Sequence, residues 1–362
     1  MPSLPPHIES AAPLVVRFGA LGDMVLLTPL LHLLHRRYGQ PGRVLGSGAW
    51  LTPLYAGNSD IDEIMSLRSR RRPYWLDRTQ QKLVAALRVR PPGPVYVCDD
   101  YATGKIRWLL TRAGVSPEQC VYAYPDCLLG GEEHWIDRWL RFGATTPPAF
   151  ASRAQPVHAE DMQPAPRLYV DNADRDDLDA WLQRHELAEK ALILLQPGNK
   201  RTLKRGRAGQ LGDEKLWPLE RWAALIRALL TREADARVVL CGAPPEQAML
   251  RTIARTAGSD RVRAVGDDLP LRRLLALCER ASGMISVDTG PAHAAAALGC
   301  PLLVMFGNGR PAQWLPRSPS GSAVIALGGW PHSALVADIT LPQVLAAWDA
   351  LPLREPHQGT SR

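Results

Sequence analysis

Short apolar runs that alternate with helical patterns limit the possible folds most strongly. Runs of this kind are typical of strands buried on both faces of a parallel sheet, and amphipathic helices between them are typical of α/β proteins. We therefore predict an α/β fold built on parallel sheets. The strand-like runs begin at Leu14, Arg43, Val95, Leu192, Val238, Met284 and Leu302.

A proline-rich segment from Ala144 to Arg167 has no hydrophobic period and interrupts this alternation. A chain of 362 residues also exceeds the size at which single cores usually split. We predict four parts: an N-terminal domain at 13–150, a linker at 151–166, a C-terminal domain at 167–335, and a C-terminal helix and tail at 336–362.

The net charge of +7 favours anionic partners, which include phosphates, nucleic acid and anionic membrane surfaces. No apolar run approaches the ~20 residues that span a bilayer, and the amino terminus lacks the pattern of a signal peptide, so we expect a cytoplasmic protein. The six cysteines are scattered without a CxxC pair, which argues against a zinc site and a disulfide framework.

The stretch LVVRFGALGDMVLLTPLL places Asp23 behind a turn that contains Gly19 and Gly22. The helix after this turn has two candidate starts, one near Gly22 and one at Thr28, and we favour the earlier start with a kink at Pro29. Ligands of open α/β sheets bind at the carboxyl ends of strands, so Asp23 is a candidate for chemistry. Helix capping explains the same residue equally well.

The stretch SVDTGPAHAAAALG follows a strand with the turn Asp288, Thr289 and Gly290, and then with a helix of small residues. The unpaired N–H groups at such a helix start form a binding site for phosphate. His293 lies in the first turn, where it either helps to neutralise a diphosphate or packs in the core.

Further charged residues follow two strands of the second half. Lys200, Lys204 and Lys215 lie in a basic stretch behind the strand at Leu192, where they bind anions or form a solvated surface. Glu246 follows the strand at Val238, where a carboxylate caps a helix or binds a ribose diol.

Four stretches, FGALGDMVLLTPLL, QPGN with KLWPLERW, LCGAPPEQ and SVDTGPAHAAAALGCPLLVMFG, together resemble the glycosyltransferase family that contains the ADP-heptose:lipopolysaccharide heptosyltransferases. The resemblance runs from about Leu14 to Pro316. It implies a GT-B architecture, in which two Rossmann-like domains face each other across a cleft. The N-terminal domain would then bind the acceptor, and the C-terminal domain the nucleotide-sugar.

The resemblance also implies roles for individual residues. Asp23 matches the proposed catalytic base, Lys215 the lysine on the donor phosphates, and Glu246 the ribose-binding carboxylate. The donor-binding turn is matched by Asp288, Thr289, Gly290 and His293. The stretch between Gly198 and Lys215 is longer and more basic than the family's usual link, so Lys200 and Lys204 are alternative phosphate contacts.

The implied reaction is a metal-independent, cofactor-free, inverting transfer of heptose from ADP-heptose to a lipopolysaccharide core acceptor. A helix start near Asp23 would weaken it as a base, and burial would oppose that effect. The N-terminal half is rich in cations, which suits an anionic glycolipid acceptor and a peripheral position at the inner membrane. These cations are Arg68, Arg70, Arg71, Arg72, Arg78, Lys82, Arg88 and Arg90.

Other functions remain open on the sequence alone. A transferase of the same fold with another donor or acceptor fits the same motifs, and so does a non-catalytic nucleotide-binding protein. A nicotinamide-dependent oxidoreductase is a weaker alternative. The charge alone also suits nucleic acid, but the chain carries no aromatic-interleaved basic motif, zinc pattern or helix-turn-helix pattern, so we do not expect a nucleic-acid partner.

Overall fold

A computed structural model describes residues 11–69, 72–100, 103–199 and 214–355. The chain divides into two compact units, Met1–Pro166 and Arg167–Arg362. Each unit contains one sheet whose strand pairs are all parallel. The predicted α/β class with parallel sheets is therefore confirmed.

The sheet of the first unit has the strand order β3-β2-β1-β4-β5. The central strand β1 pairs with a neighbour on each side, and its three residues are fully buried, as the apolar run predicts. The strands are β1 (Leu14–Val16), β2 (Gly42–Gly46), β3 (Ile61–Ser66), β4 (Val95–Val97) and β5 (Cys120–Tyr122).

The sheet of the second unit has the order β11-β10-β9-β6-β7-β8. Its central strands are almost wholly buried and supply much of the hydrophobic core of this unit. The strands are β6 (Ala191–Gln196), β7 (Ala236–Leu240), β8 (Val262–Ala264), β9 (Gly283–Val287), β10 (Leu302–Phe306) and β11 (Val324–Gly328).

Helices follow the strands in both units. In the first unit they are α1 (Leu21–Val25), α2 (Thr28–Tyr38), α3 (Leu51–Tyr55), α4 (Arg78–Arg88), α5 (Thr103–Arg112), α6 (Ala123–Asp126) and α7 (Trp135–Ala144). In the second they are α8 (Asn172–Arg184), α9 (Leu219–Arg232), α10 (Gln247–Ala257), α11 (Leu271–Arg280), α12 (Gly290–Ala297), α13 (Pro311–Trp314) and α14 (Leu341–Asp349). Among the described residues, no helix is both long enough and apolar enough to cross a membrane.

Both candidate helix starts near Asp23 are used. The first helix begins at Leu21 and ends at Val25, and the second begins at Thr28 with Pro29 in its first turn. Proline is favoured there because its missing N–H would have no helical partner. The early start is therefore confirmed, with two short helices in place of one kinked helix.

The proline-rich segment is anchored to α2 of the first unit. The buried Arg37 guanidinium donates to the carbonyl of Gly143 (2.5 Å), the hydroxyl of Thr146 (2.7 Å) and the carbonyl of Gln155 (3.3 Å). Phe150 is buried, with its ring 6.3 Å from that of Tyr38. Residues up to 155 therefore pack on the first unit, although their composition predicts little structure.

Two sets of polar contacts hold helices of the second unit together. Bidentate pairs join α8 to α11 through Arg272 with Asp174 and Arg273 with Asp177. Near the carboxyl end of the described chain, the Arg354 guanidinium donates to carbonyls at the ends of both α11 and α12. Because the last carbonyls of a helix lack helical partners, one cation stabilises two helix ends.

All six cysteines are buried and none forms a disulfide, as their scattered positions predict. Burial raises the pKa of the Cys300 thiol to about 12. The thiol form of Cys300 therefore predominates near neutral pH, because the nucleophilic thiolate is disfavoured by desolvation.

Candidate functional site

Asp23 lies at the carboxyl edge of the first sheet, in the first turn of α1. Its Oδ2 accepts a hydrogen bond from the backbone N–H of Ala20 (2.7 Å), and its Oδ1 pairs with Nη2 of Arg17 (2.9 Å). The side chain remains 22% exposed. The capping interpretation of Asp23 is therefore correct as far as it goes, and the carboxylate is also held by a cation and open to solvent.

Gly19 makes this position of Asp23 possible. A Cβ atom at residue 19 would collide with Cβ of Asp23 and would lie 3.0 Å from its carboxyl carbon. Only glycine therefore fits beside the carboxylate without displacing it. Gly22, the second predicted turn glycine, is buried inside α1.

Arg17 is the residue of this region that the sequence motifs did not single out. Its guanidinium is buried, donates to the carbonyl of Cys98 (2.7 Å) and lies over the Trp139 ring at 5.2 Å. Burial opposes the charge, but the Asp23 and Asp99 carboxylates hold the pKa of Arg17 above its ordinary value. A cation directly after a buried apolar strand was the signal in the sequence, because such a charge requires partners.

The second cluster lies at the carboxyl edge of the other sheet. Lys215 Nζ donates to Oδ2 of Asp288 (2.5 Å) and to its backbone carbonyl (3.0 Å). Thr289 occupies the N-cap position of α12 without a side-chain capping bond, and its hydroxyl lies 3.1 Å from that of Ser286. The structure thus brings Lys215 to the turn of Asp288, Thr289 and Gly290, and their role in donor binding stays a prediction.

The start of α12 has the character predicted for an anion site. Pro291 lies in the first turn and carries no N–H, while helix geometry leaves the amides of Gly290 and Ala292 without helical acceptors. His293 is buried in the same turn, and its backbone N–H donates to the carbonyl of Thr289 (3.4 Å). This helix start and Lys215 can together stabilise a diphosphate.

The position of Lys215 is set by contacts on both sides of it. The Glu214 carbonyl accepts from the N–H of Val336 (2.8 Å) and lies so close to Gly307 that a side chain there would collide with it. Trp217 is buried, and its indole N–H donates to the carbonyl of Ile339 (2.8 Å). The segment KLWPLERW therefore fixes its lysine at the sheet edge. The alternative lysines, Lys200 and Lys204, lie outside the described residues.

Glu246 lies on the same edge, beyond β7. Its carboxylate is buried, accepts from the N–H of Ala243 (2.9 Å) and packs against Gly198, where a side chain would collide with it. Its carboxylate thus caps the 3₁₀ turn Pro244–Glu246 that leads into α10, and not α10 itself as predicted. That Glu246 also binds the ribose of the donor stays a prediction.

Two further residues at this edge were not predicted. The Arg310 guanidinium lies over the Trp330 ring at 4.2 Å, and the backbone N–H of Trp330 donates to the carbonyl of Gly309 (2.8 Å). The Trp330 side chain is exposed. No sequence pattern marks this pair, because it joins two loops from different strands.

Solved structures of similar fold place the chain in a structural class. The structure of the Escherichia coli ADP-heptose lipopolysaccharide heptosyltransferase II has a TM-score of 0.69 and 20% identity, covering 94% of this chain and 98% of that one. A glycosyltransferase family 9 structure from Veillonella parvula gives 0.70 and 16%, covering 94% and 96%. The E. coli heptosyltransferase WaaC with ADP gives 0.62 and 16%, covering 94% and 99%. These likenesses identify the GT-B fold.

Sequence comparison identifies the family. The model of glycosyltransferase family 9 (heptosyltransferase) matches residues 151–337, which is more than half of the chain. The chain therefore belongs to this family. A curated relative, lipopolysaccharide heptosyltransferase 3 of E. coli, is 34% identical over 106 residues, which span 29% of this chain and 31% of that protein.

Proposed function

We propose that this chain is a glycosyltransferase that moves heptose from ADP-heptose to a lipopolysaccharide core acceptor. The observation that carries the proposal is the pairing of Lys215 with Asp288 beside the start of α12, within the region that matches the family. Relatives described as heptosyltransferases support the sugar and the acceptor.

The second unit is proposed to bind the donor. Negative charge grows on the leaving nucleoside diphosphate as the glycosidic bond breaks, and fixed donors aimed at it stabilise the transition state. Lys215 and the first-turn amides of α12 are such donors, and they provide this stabilisation without a metal ion. Glu246 is proposed to bind the ribose of the donor.

The first unit is proposed to bind the acceptor, with Asp23 as the general base. A carboxylate within hydrogen-bond reach of the acceptor hydroxyl takes its proton during attack on the anomeric carbon, and such assistance contributes ~10²–10⁴-fold in rate. Direct attack in one step inverts the configuration at that carbon. A carboxylate has about four acceptor positions, so the bonds from Arg17 and Ala20 leave room for this role.

The proposal also places the chain on the cytoplasmic side of the membrane, as a peripheral protein. The lipopolysaccharide acceptor is anionic and lipid-linked, and the cations of the first unit suit it. Among these cations, Arg70 and Arg71 lie outside the described residues. Arg68, Arg72, Arg78, Lys82 and Arg88 are exposed, while Arg90 is partly buried and pairs with Glu63.

Transfer from ADP-heptose to purified core acceptor tests the activity, and calorimetry with ADP-, UDP- and GDP-sugars tests the donor. We expect Asp23→Asn to lose at least about 10²-fold in kcat while it binds ADP normally. The matched control is Asp62→Asn, an exposed carboxylate of the same unit.

Lys215→Met should weaken ADP binding, whereas Lys190→Met in the same unit should not. Full turnover by Asp23→Asn would refute the role of the base. Binding of another nucleotide-sugar in place of ADP-heptose would refute the donor, and donor binding without any transfer would favour a non-catalytic protein.

A further inference from the structure

The first unit exposes three large apolar side chains on two elements that are in contact. Trp75 is 74% exposed and Leu76 is 58% exposed, both in a turn of 3₁₀ helix before α4. Trp108 on α5 is 42% exposed, and its ring lies 5.5 Å from that of Tyr74 in the same turn. Large apolar side chains exposed on neighbouring elements are candidates for an interaction site.

The turn that carries Trp75 and Leu76 is fixed by hydrogen bonds from side chains of α4. Gln81 donates from its side-chain amide to the carbonyls of Tyr74 (3.0 Å) and Trp75 (3.2 Å). Gln80 is buried and donates to the carbonyl of Arg72 (3.0 Å). The two apolar side chains are therefore presented by an ordered backbone.

Cations lie directly on the aromatic rings of this surface. Lys105 Nζ is 4.4 Å from the centre of the Trp108 ring, and the Arg112 guanidinium is 4.4 Å from that of Tyr74 and 5.3 Å from that of Trp108. Tryptophan and tyrosine are enriched at the interface between water and lipid, and cations beside their rings can meet the phosphates of anionic lipids there.

The charge around these side chains has one sign. Residues 67–92 contain a single carboxylate, Asp77, and α5 contains none. Asp77 is buried, and its side chain caps α4 by accepting from Thr79 and Gln80. Exposed cations lie in the segment before the turn, on α4 and at the end of α5, namely Arg68, Arg72, Arg78, Lys82 and Arg112.

This surface begins at the sheet edge that carries Asp23. The turn at Tyr74 follows β3 and α5 follows β4, and in a parallel sheet the carboxyl ends of all strands lie on one edge. An acceptor anchored in a lipid layer at this surface would present its sugars to the same edge.

We infer that Trp75, Leu76 and Trp108, with the cations around them, form a docking surface for an anionic lipid bilayer. The inference deepens the proposed function, because that function supplies the lipid-linked acceptor. We favour a bilayer over a protein partner because exposed cations flank the tryptophans and the nearby carboxylate, Asp77, is buried, so the charge of this surface matches that of anionic headgroups.

Flotation of the full chain with vesicles tests the inference. We expect binding to vesicles of phosphatidylcholine with phosphatidylglycerol, little binding to phosphatidylcholine alone, and loss of binding as NaCl rises. The double variant Trp75→Ser with Leu76→Ser should bind at least about tenfold more weakly, since its apolar anchors are gone. The control replaces two exposed leucines elsewhere, Leu128→Ser with Leu335→Ser, and should bind as the unaltered chain does.

Quenching by brominated lipids adds a readout of depth. The chain has eleven tryptophans, and quenching that falls in Trp75→Ser would locate this ring in the bilayer. Equal binding to neutral and anionic vesicles, unchanged binding of the double variant, or apolar-dependent self-association without vesicle binding would each overturn the inference. Vesicle binding is measured without donor or acceptor, so a chain that transferred no sugar would still bind, and the two proposals fail separately.

Discussion

Replacement of Gly19 by alanine tests whether the position of Asp23 controls the reaction. The added Cβ would lie 3.0 Å from the carboxyl carbon of Asp23 and still closer to its Cβ, whereas ordinary contact begins at 3.4 Å. The carboxyl carbon of Asp23 must therefore move until it lies at least 3.4 Å from the new Cβ atom, and the Cβ atom of Asp23 must move further. A misplacement approaching 1 Å at a reacting group costs on the order of 10²-fold in rate.

We expect Gly19→Ala to lower kcat between about tenfold and a hundredfold, by the same geometric argument. Overpacking of this kind also costs about 1–3 kcal/mol of stability, which thermal unfolding would measure. The affinity for ADP, measured by calorimetry, should not change, because the proposed donor residues lie in the other unit. Gly131→Ala is the matched control, since a Cβ there meets nothing within 4 Å.

The same replacement in a chain that already carries Asp23→Asn tests the reasoning further. If Gly19→Ala acts by displacing Asp23, it should cost no further rate in a chain that already carries Asp23→Asn, because effects on one group are not additive. An unchanged kcat in Gly19→Ala, or an equal loss in both backgrounds, would refute the reasoning.

Two further predictions concern stability. Arg354→Met leaves carbonyls at the ends of α11 and α12 without their cation, so the free energy of unfolding should fall by about 2–3 kcal/mol in urea titrations. The control is Arg227→Met, which removes one exposed hydrogen bond and should change the free energy of unfolding little. The hydrogen bonds from Arg273 hold the pKa of Asp177 below its ordinary value. This pair therefore stabilises the fold at any pH above the unfolded pKa of about 3.9. The stabilisation is lost as the pH falls through the lower pKa of the folded state. The urea midpoints of the unaltered chain and Asp177→Asn should therefore differ at neutral pH and converge in acid, and a constant difference down to acid pH would contradict this.

The central strands of both sheets could be predicted from the sequence, and the edge strands could not. The seven predicted runs correspond to β1, β2, β4, β6, β7, β9 and β10, whereas β3, β5, β8 and β11 were missed. All four missed strands lie at the edges of their sheets and are only partly buried. A strand with one neighbour faces more solvent, which explains the charged residues that interrupt the apolar pattern of β3 and β8. In contrast, β11 has the apolar sequence VIALG, and β5 is only three residues long.

The candidate site was predictable where one motif holds all its parts. The turn at Asp288 and the start of α12 lie within a few residues, so their local geometry follows from the sequence. The pair of Arg17 with the Cys98 carbonyl depends on β4 lying beside β1, which spacing along the chain does not reveal. Whether Asp23 and Thr289 share one cavity stays a prediction.

The backbone contact between Glu214 and Gly307 fixes the chain just before Lys215, so the position of this lysine does not depend on the basic stretch that precedes Glu214. Val336 holds the carbonyl of Glu214 just before Lys215, and the buried Trp217 holds the chain just after it, so the ammonium group keeps its place whatever length of chain precedes Glu214. Insertions and substitutions upstream of Glu214 should then leave the contact of Lys215 with Asp288 intact. We therefore expect the proposed phosphate contact of Lys215 to tolerate variation in that stretch.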